Sequence, residues 1–235
     1  MENFVQIHDK GYVRLVDKLG SDLTIVNAAR VSHNKESKEF SEKDRKLLKY
    51  LIAHEHTSPM RHPSLQFVIY APLMVARQWW KYIVGSSHQE GVGDSLNAWN
   101  ESSRRYVTED IEFYIPTDNE WRGAPDNMKQ GSAAPVGEVI GGEARERLVS
   151  LINTSMEHYN WATDNNIATE QARLFLPSYG LYVRWYWTAS LQSVMHFISQ
   201  RLDSHAQVEI QQYARAVANL AEKEFPITFE LIRQS

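Results

Sequence analysis

Apolar and polar positions follow two different periods along this chain, and the period sets the element expected at each stretch. Residues 11–18 alternate loosely, with Tyr12, Val13, Leu15 and Val16 among polar neighbours, and read as a strand or short hairpin. Ser21 or Asp22 is placed to cap a helix carrying Leu23, Val26, Ala29 and Arg30. After a polar loop at 34–40, Ser41 with Asp44 three residues on forms a capping arrangement. It precedes Leu47, Leu48, Leu51 and Ile52, and this second helix is expected to end near His54. His56-Thr57-Ser58-Pro59 reads as a turn. Residues 65–71 are β-branched and aromatic and predict a strand. Pro72 suits the first turn of a helix through Leu73, Val75, Ala76, Trp79 and Trp80.

Residues 85–94 hold three Gly and two Ser and read as a loop. Residues 111–115 look like a strand ended by Pro116, and 117–142, with five Gly and with Pro125 and Pro135, like a long loop. A long amphipathic helix is expected at 143–165, a second at 169–176 stopped by Pro177, and an aromatic strand at 181–188. Helices follow at 190–201 and 205–224, broken by Leu202-Asp203-Ser204. There is no internal repeat and no composition shift, so one α+β domain spanning residues 1–235 is expected.

Composition narrows the function. The chain has 235 residues, 43% hydrophobic, which is enough for one sizeable core. A net charge of -4 argues against a general polyanion-binding surface and hence against a nucleic-acid polymer as partner. Any phosphate site must be a local cluster of Arg and Lys. There is no cysteine, which removes disulfides, thiolate ligands and Cys nucleophiles together. Covalent chemistry must then use another group or a cofactor. The absence fits a reducing compartment, and a cytoplasmic location is expected. The first ten residues are polar and acidic, with no apolar core of a signal peptide. The longest apolar stretches are too short to span a bilayer, so no membrane partner is expected. Seven Trp and eleven Tyr provide either a large aromatic core or stacking surfaces for planar rings.

Several clusters carry candidate chemistry. Arg77 and Lys81 are four residues apart on a helix and share a face, which taken alone reads more readily as a solvated basic stripe than as an anion site. Asn100-Glu101-Ser102-Ser103-Arg104-Arg105-Tyr106 is denser. Hydroxyls and guanidinium forks together suit a phosphate, because each guanidinium can give two parallel hydrogen bonds to an oxyanion. Arg173 and Arg201 lie on or at the end of apolar helices, where the dipole alone favours a cation. His54, His56 and His62 lack the spacing and thiolate partners of a zinc site, so no metal is expected. His196 reads as a core or interface histidine. Neither a dinucleotide fingerprint nor a P-loop is present.

Six segments in this order resemble the flavin-dependent thymidylate synthases. They are Ala28-Ala29-Arg30-Val31-Ser32, His56-Thr57-Ser58-Pro59, Ala76-Arg77-Gln78-Trp79, Asn100 to Tyr106, Phe113-Tyr114-Ile115-Pro116 and Asp203-Ser204-His205-Ala206-Gln207. The resemblance covers nearly the whole chain. It implies the fold of the thymidylate synthase-complementing proteins, a mixed or antiparallel sheet flanked by long helices. It also implies FAD as redox cofactor, dUMP as substrate, methylenetetrahydrofolate as carbon donor and NADPH as reductant. The assembly implied is a homotetramer with active sites where subunits meet.

Carried over by position, dUMP is expected at Gln78, Lys81, Glu101, Ser102, Ser103, Arg104, Arg105 and Arg173. Arg201 matches the arginine expected to act in catalysis by stabilising the N3-deprotonated uracil. Flavin contacts are expected at Ser58, Ser190, Gln192 and His196, at Lys81, Tyr82 and Ile83, with Glu101 shared and His56 near the ring. The sequence departs from the family where an Arg-His-Arg triplet becomes Lys81-Tyr82-Ile83, where a Gly-rich insertion runs over 85–98, and at Arg61, Ser190 and Gln192. These departures motivate two alternatives: flavin-dependent C5 modification of another pyrimidine nucleotide such as dCMP, or a non-catalytic nucleotide-binding homologue.

Overall fold

The computed structural model describes residues 3–84, 97–102, 110–125 and 131–234, without the side chains of 81–84 and 97. Its centre is a five-stranded sheet in the order β1-β2-β3-β5-β4, with every pairing antiparallel. The strands are β1 Phe4–Ile7, β2 Gly11–Leu19, β3 Ser64–Pro72, β4 Asn97–Glu101 and β5 Tyr182–Ser190. Alternation along them divides the two faces. Val13, Leu15, Leu65, Phe67, Ile69, Trp185, Trp187 and Ala189 are buried in the main core. Tyr12, Tyr70 and Tyr182 turn to the opposite face, where Tyr114 joins them.

Helices close the core face. They are α1 Asp22–Arg30, α2 Glu42–Ala53, α3 Leu73–Val84, α6 Leu191–Arg201, α7 Val208–Glu224 and α8 Pro226–Gln234. The capping arrangement expected at Ser41 with Asp44 is present, and Ser21, one of the two residues placed to cap the first helix, forms a second box with Thr24. Asp44 also pairs with Arg30 at 2.6 Å and accepts from the Ser37 hydroxyl at 2.9 Å, which ties the polar loop at 34–40 to both helices. Trp79 locks α3 in place. Its ring is fully buried, stacks on Phe197 at 4.0 Å and meets Trp185 and Trp187 edge-on. That fixes the rotation of α3 and leaves Arg77 exposed and Gln78 half-buried beside it.

The long α4, Glu138–Asp164, forms a second, smaller core with Phe113, Leu176 and Leu181, and the short α5, Thr169–Ala172, packs against α4. Here the structure corrects several expectations. Helix α4 begins at Glu138, five residues before the predicted start, and carries Gly141 and Gly142 inside it. Gly141 is required by close approach: a Cβ there would lie 1.8 Å from the backbone oxygen of Asp118. The helix predicted at 169–176 is α-helical only to Ala172 and continues as a 3-10 turn over Arg173–Phe175. Residues 111–115 form no strand; Phe113 makes one isolated bridge to Leu181. Pro72 is the last residue of β3, opposite Tyr182, rather than the first of α3. Helix α7 starts at Val208, later than expected. Strands β1 and β4 and helix α8 had no sequence expectation.

Candidate active site

A cavity of 1140 Å³ opens between the end of α6, the start of α7, α3 and the α4 layer. One wall is apolar and aromatic, with Phe113, Leu148, Ile152 and Leu176 beside Tyr114, Trp121 and Tyr179. A polar wall is formed by Gln78, Arg201, Asp203, His205, Gln207, Glu209 and Arg122. Arg201 and Gln78, two residues predicted to bind the same ligand, therefore face one space.

Helix ends position this polar wall. Arg201 is the last residue of α6, so its cation sits where the helix dipole favours it. Asp203 follows and accepts from the backbone N–H of His205 at 2.8 Å, with the His205 Nδ1 at 2.9 Å. Those bonds to His205, with a smaller contribution from the charge of Arg201, hold the Asp203 carboxyl below its ordinary value. Glu209 lies in the first turn of α7 and is 4% exposed. Burial alone would raise its carboxyl. Bonds from Arg122, from its own backbone N–H and from Gln207 outweigh that and hold it low. Burial next to Glu209 and Glu120 pushes the Tyr114 phenol well above its usual range.

A second group gathers elsewhere. Glu101, at the end of β4, is raised by burial, against a hydrogen bond from the Trp99 indole and the nearby charge of Arg173. Trp99 stacks on Trp185 at 4.8 Å, which anchors this edge of the sheet. The Ser102 N–H continues the pairing to the Arg184 carbonyl at 2.8 Å. Neither Glu101, Ser102 nor Arg173 lines the cavity that holds Arg201.

A third group lies at the opposite end of α6. His56 and Ser58 are exposed on and before the 3-10 turn Ser58–Arg61, which packs against α6. The rings of Tyr50 and His54 stack at 4.1 Å, and Tyr50 and His56 at 5.8 Å. Gln192 keeps a buried Oε1 with no hydrogen-bond partner among the described residues. His196, one turn on, is half-buried, and burial lowers its imidazole. Ser190 is fully buried, and its hydroxyl accepts the Ser193 N–H at 3.1 Å, so it serves as the cap of α6.

Residues 14–227 match the family described as thymidylate synthase complementing protein. The chain belongs to that family. It is 39% identical over 226 residues to the flavin-dependent thymidylate synthase of Thermotoga neapolitana, covering 96% of this chain and 92% of that one. Against the enzyme of the same description from Thermus thermophilus the identity is 36% over 225 residues, covering 96% of this chain and 76% of that one. Among solved structures it is similar to a UMP/dUMP methylase, PolB, from Streptomyces cacaoi bound with 5-Br dUMP. That likeness has a TM-score of 0.81 at 28% identity and covers 98% of this chain and 97% of the other. The same protein bound with 5-Br UMP gives a TM-score of 0.79 at 27% identity, covering 96% and 94%.

Within this member of the thymidylate synthase complementing family, the expected site residues thus form three separate groups. Ser103, Arg104 and Arg105, and the side chains of Lys81, Tyr82 and Ile83, lie outside the described residues, as does the predicted loop at 85–94. Among the described residues no cluster of side chains is arranged to hold a metal ion, and no helix is long and apolar enough to cross a membrane. Sequence reasoning missed Glu209, Arg122 and Trp99. A Glu in a first helical turn reads as an ordinary dipole partner, and Arg122 sits in a Gly- and Pro-rich stretch; neither carries a sequence signal that it meets the other.

Proposed function

We propose that the protein converts dUMP to dTMP by reductive methylation, with methylenetetrahydrofolate as carbon donor and NADPH-reduced FAD as hydride source. The observation that carries this reading is the convergence of Arg201 and Gln78 on one large cavity in a chain of this family. Its volume of 1140 Å³ exceeds the roughly 300–1,000 Å³ typical of a site for one small ligand, which favours a site shared by more than one.

Arg201 supplies the central chemistry. Its fixed guanidinium stabilises negative charge on the uracil ring after N3 loses its proton, which raises electron density at C5 for attack on the one-carbon unit. The apolar wall excludes water and strengthens that interaction. Glu101, Ser102, Ser103, Arg104, Arg105 and Arg173 complete the nucleotide grip, with Lys81 beside it. Because Glu101 and Arg173 stand apart from Arg201 within one chain, the reading includes a homotetramer in which one subunit's grip meets another's cavity.

The residues at the start of α6 fit a flavin. Gln192 offers an unpartnered acceptor suited to a ring N–H, His56 and Tyr50 present stackable rings, and Ser58 and His196 add polar contacts. Lys81, Tyr82 and Ile83 are assigned to the same cofactor, and Ser190 supports it by capping α6. When bound, the flavin supplies the hydride that completes the methyl group.

A second reading keeps the scaffold and changes the nucleotide. The likeness to a methylase described as acting on UMP and dUMP favours UMP as that alternative. The test is direct. Protein purified with FAD should show flavin absorbance that bleaches anaerobically with NADPH. Product masses from dUMP, UMP and dCMP then identify the substrate. A colourless protein that binds no added FAD contradicts the proposal, and a methylated product from UMP alone moves it to the second reading.

A further inference from the structure

Gln78 begins a row of polar side chains that runs along the cavity lining. Its Nε2 donates to Oε1 of Gln207. Nε2 of Gln207 donates to Oε2 of Glu209 at 2.7 Å and faces Sδ of Met74 at 3.5 Å. Oε1 of Glu209 receives the Arg122 guanidinium. Arg122 is held in turn by the Ser132 hydroxyl at 2.9 Å and the Glu120 carbonyl at 3.2 Å. Its backbone is braced, since Gly123 and Val136 donate across the loop to Ala134 and Trp121 at 3.0 and 2.9 Å.

The direction of this row follows from donor and acceptor chemistry. A carboxylate only accepts. Glu209 stays ionised because Arg122, its own backbone N–H and Gln207 overcome its burial. It therefore requires the NH2 group of Gln207, and the Met74 sulfur, a weak acceptor, lies against the same nitrogen. Flipping Gln207 would set its carbonyl against two acceptors. Gln207 thus shows its carbonyl to Gln78, and Gln78 must answer with its NH2 group. The carbonyl oxygen of Gln78 is the atom left to meet a ligand.

We propose that Arg122, Glu209 and Gln207 are positioning residues that hold the Gln78 amide in one orientation, so that its Oε1 accepts a hydrogen bond from an O–H or N–H of the bound nucleotide. A ligand presenting only an acceptor at that point is disfavoured. Without the row, the Gln78 amide turns freely and offers either polarity. The inference rests on the reading of the cavity as a nucleotide site and deepens it.

The test is a double-mutant cycle on the FAD-loaded protein, with dUMP affinity measured by calorimetry for wild type, Gln78→Leu, Gln207→Leu and the double variant. Flavin absorbance and the thermal midpoint confirm that each variant is folded; Gln207→Met, of similar volume, replaces Gln207→Leu if the latter loses its flavin. The row predicts that Gln207→Leu weakens dUMP binding about tenfold. In the Gln78→Leu background the same change should add almost nothing, because its effect passes through Gln78. A purely structural Gln207 gives additive losses instead. Additive losses, or wild-type affinity in Gln207→Leu, overturn the proposal while leaving the nucleotide site intact. If the wild type binds none of dUMP, UMP and dCMP, the nucleotide reading fails first and the row loses its role with it.

Discussion

At the scale of single residues, the Arg122–Glu209 pair has the clearest energetic signature. The Glu209 side chain is 5% exposed and that of Arg122 21%, so removing the cation strands a buried carboxylate. Arg122→Met is expected to lower stability by about 2–3 kcal/mol in urea unfolding, below the full cost of breaking a fully buried pair because Arg122 is partly solvated. The folded-state carboxyl of Glu209 is depressed, so its contribution is present above the unfolded pKa and is lost as pH falls through the folded value. The stability gap between wild type and Glu209→Gln should therefore be wide at neutral pH and close in acid; a gap independent of pH contradicts the assignment. Arg201 and Gln78 were legible in the sequence because each sits in a motif. Glu209 was not, because its meaning lies in a partner 87 positions away along the chain.

At the scale of elements, capping and periodicity marked most of the helices. The box at Ser41 appears where the side-chain chemistry placed it, and the cap expected at Ser21 or Asp22 falls on Ser21. At the start of α4, tertiary contact outweighed local preference. Gly141 and Gly142 read as loop residues, yet they lie within α4 because the Asp118 backbone packs against that turn. Gly141→Ala is accordingly expected to destabilise by about 1–3 kcal/mol through overpacking, although alanine is the better helix former. A rise in thermal midpoint would show that the 118 segment yields freely. Strand β4 was hidden for another reason. Its short sequence, Asn-Ala-Trp-Asn-Glu, has weak strand character and pairs by virtue of the Trp99–Trp185 stack and the open edge of β5.

At the scale of the whole molecule, the described site residues stand in three groups within one chain, and the proposed reading has a second copy bring them together. Leu174, beside Arg173, is 84% exposed, and Val139 and Trp161 on α4 are 86% and 57% exposed. Leu174, this open and beside a residue proposed for the nucleotide grip, lies on the surface proposed for assembly. Leu174→Asp is expected to lower the assembly mass in light scattering and dUMP affinity together. Loss of assembly with unchanged affinity would show that one chain forms the site alone.

In the proposed function, Arg201 drives methylation of the pyrimidine nucleotide in this cavity. Its most direct test is turnover of dUMP with methylenetetrahydrofolate, NADPH and FAD, comparing wild type with Arg201→Ala by product mass. The wild type should yield dTMP, and Arg201→Ala should lose at least about a hundredfold in rate at unchanged assembly mass and flavin content. No dTMP from the flavin-loaded wild type, or an Arg201→Ala variant that turns over at the wild-type rate, would contradict the proposed function.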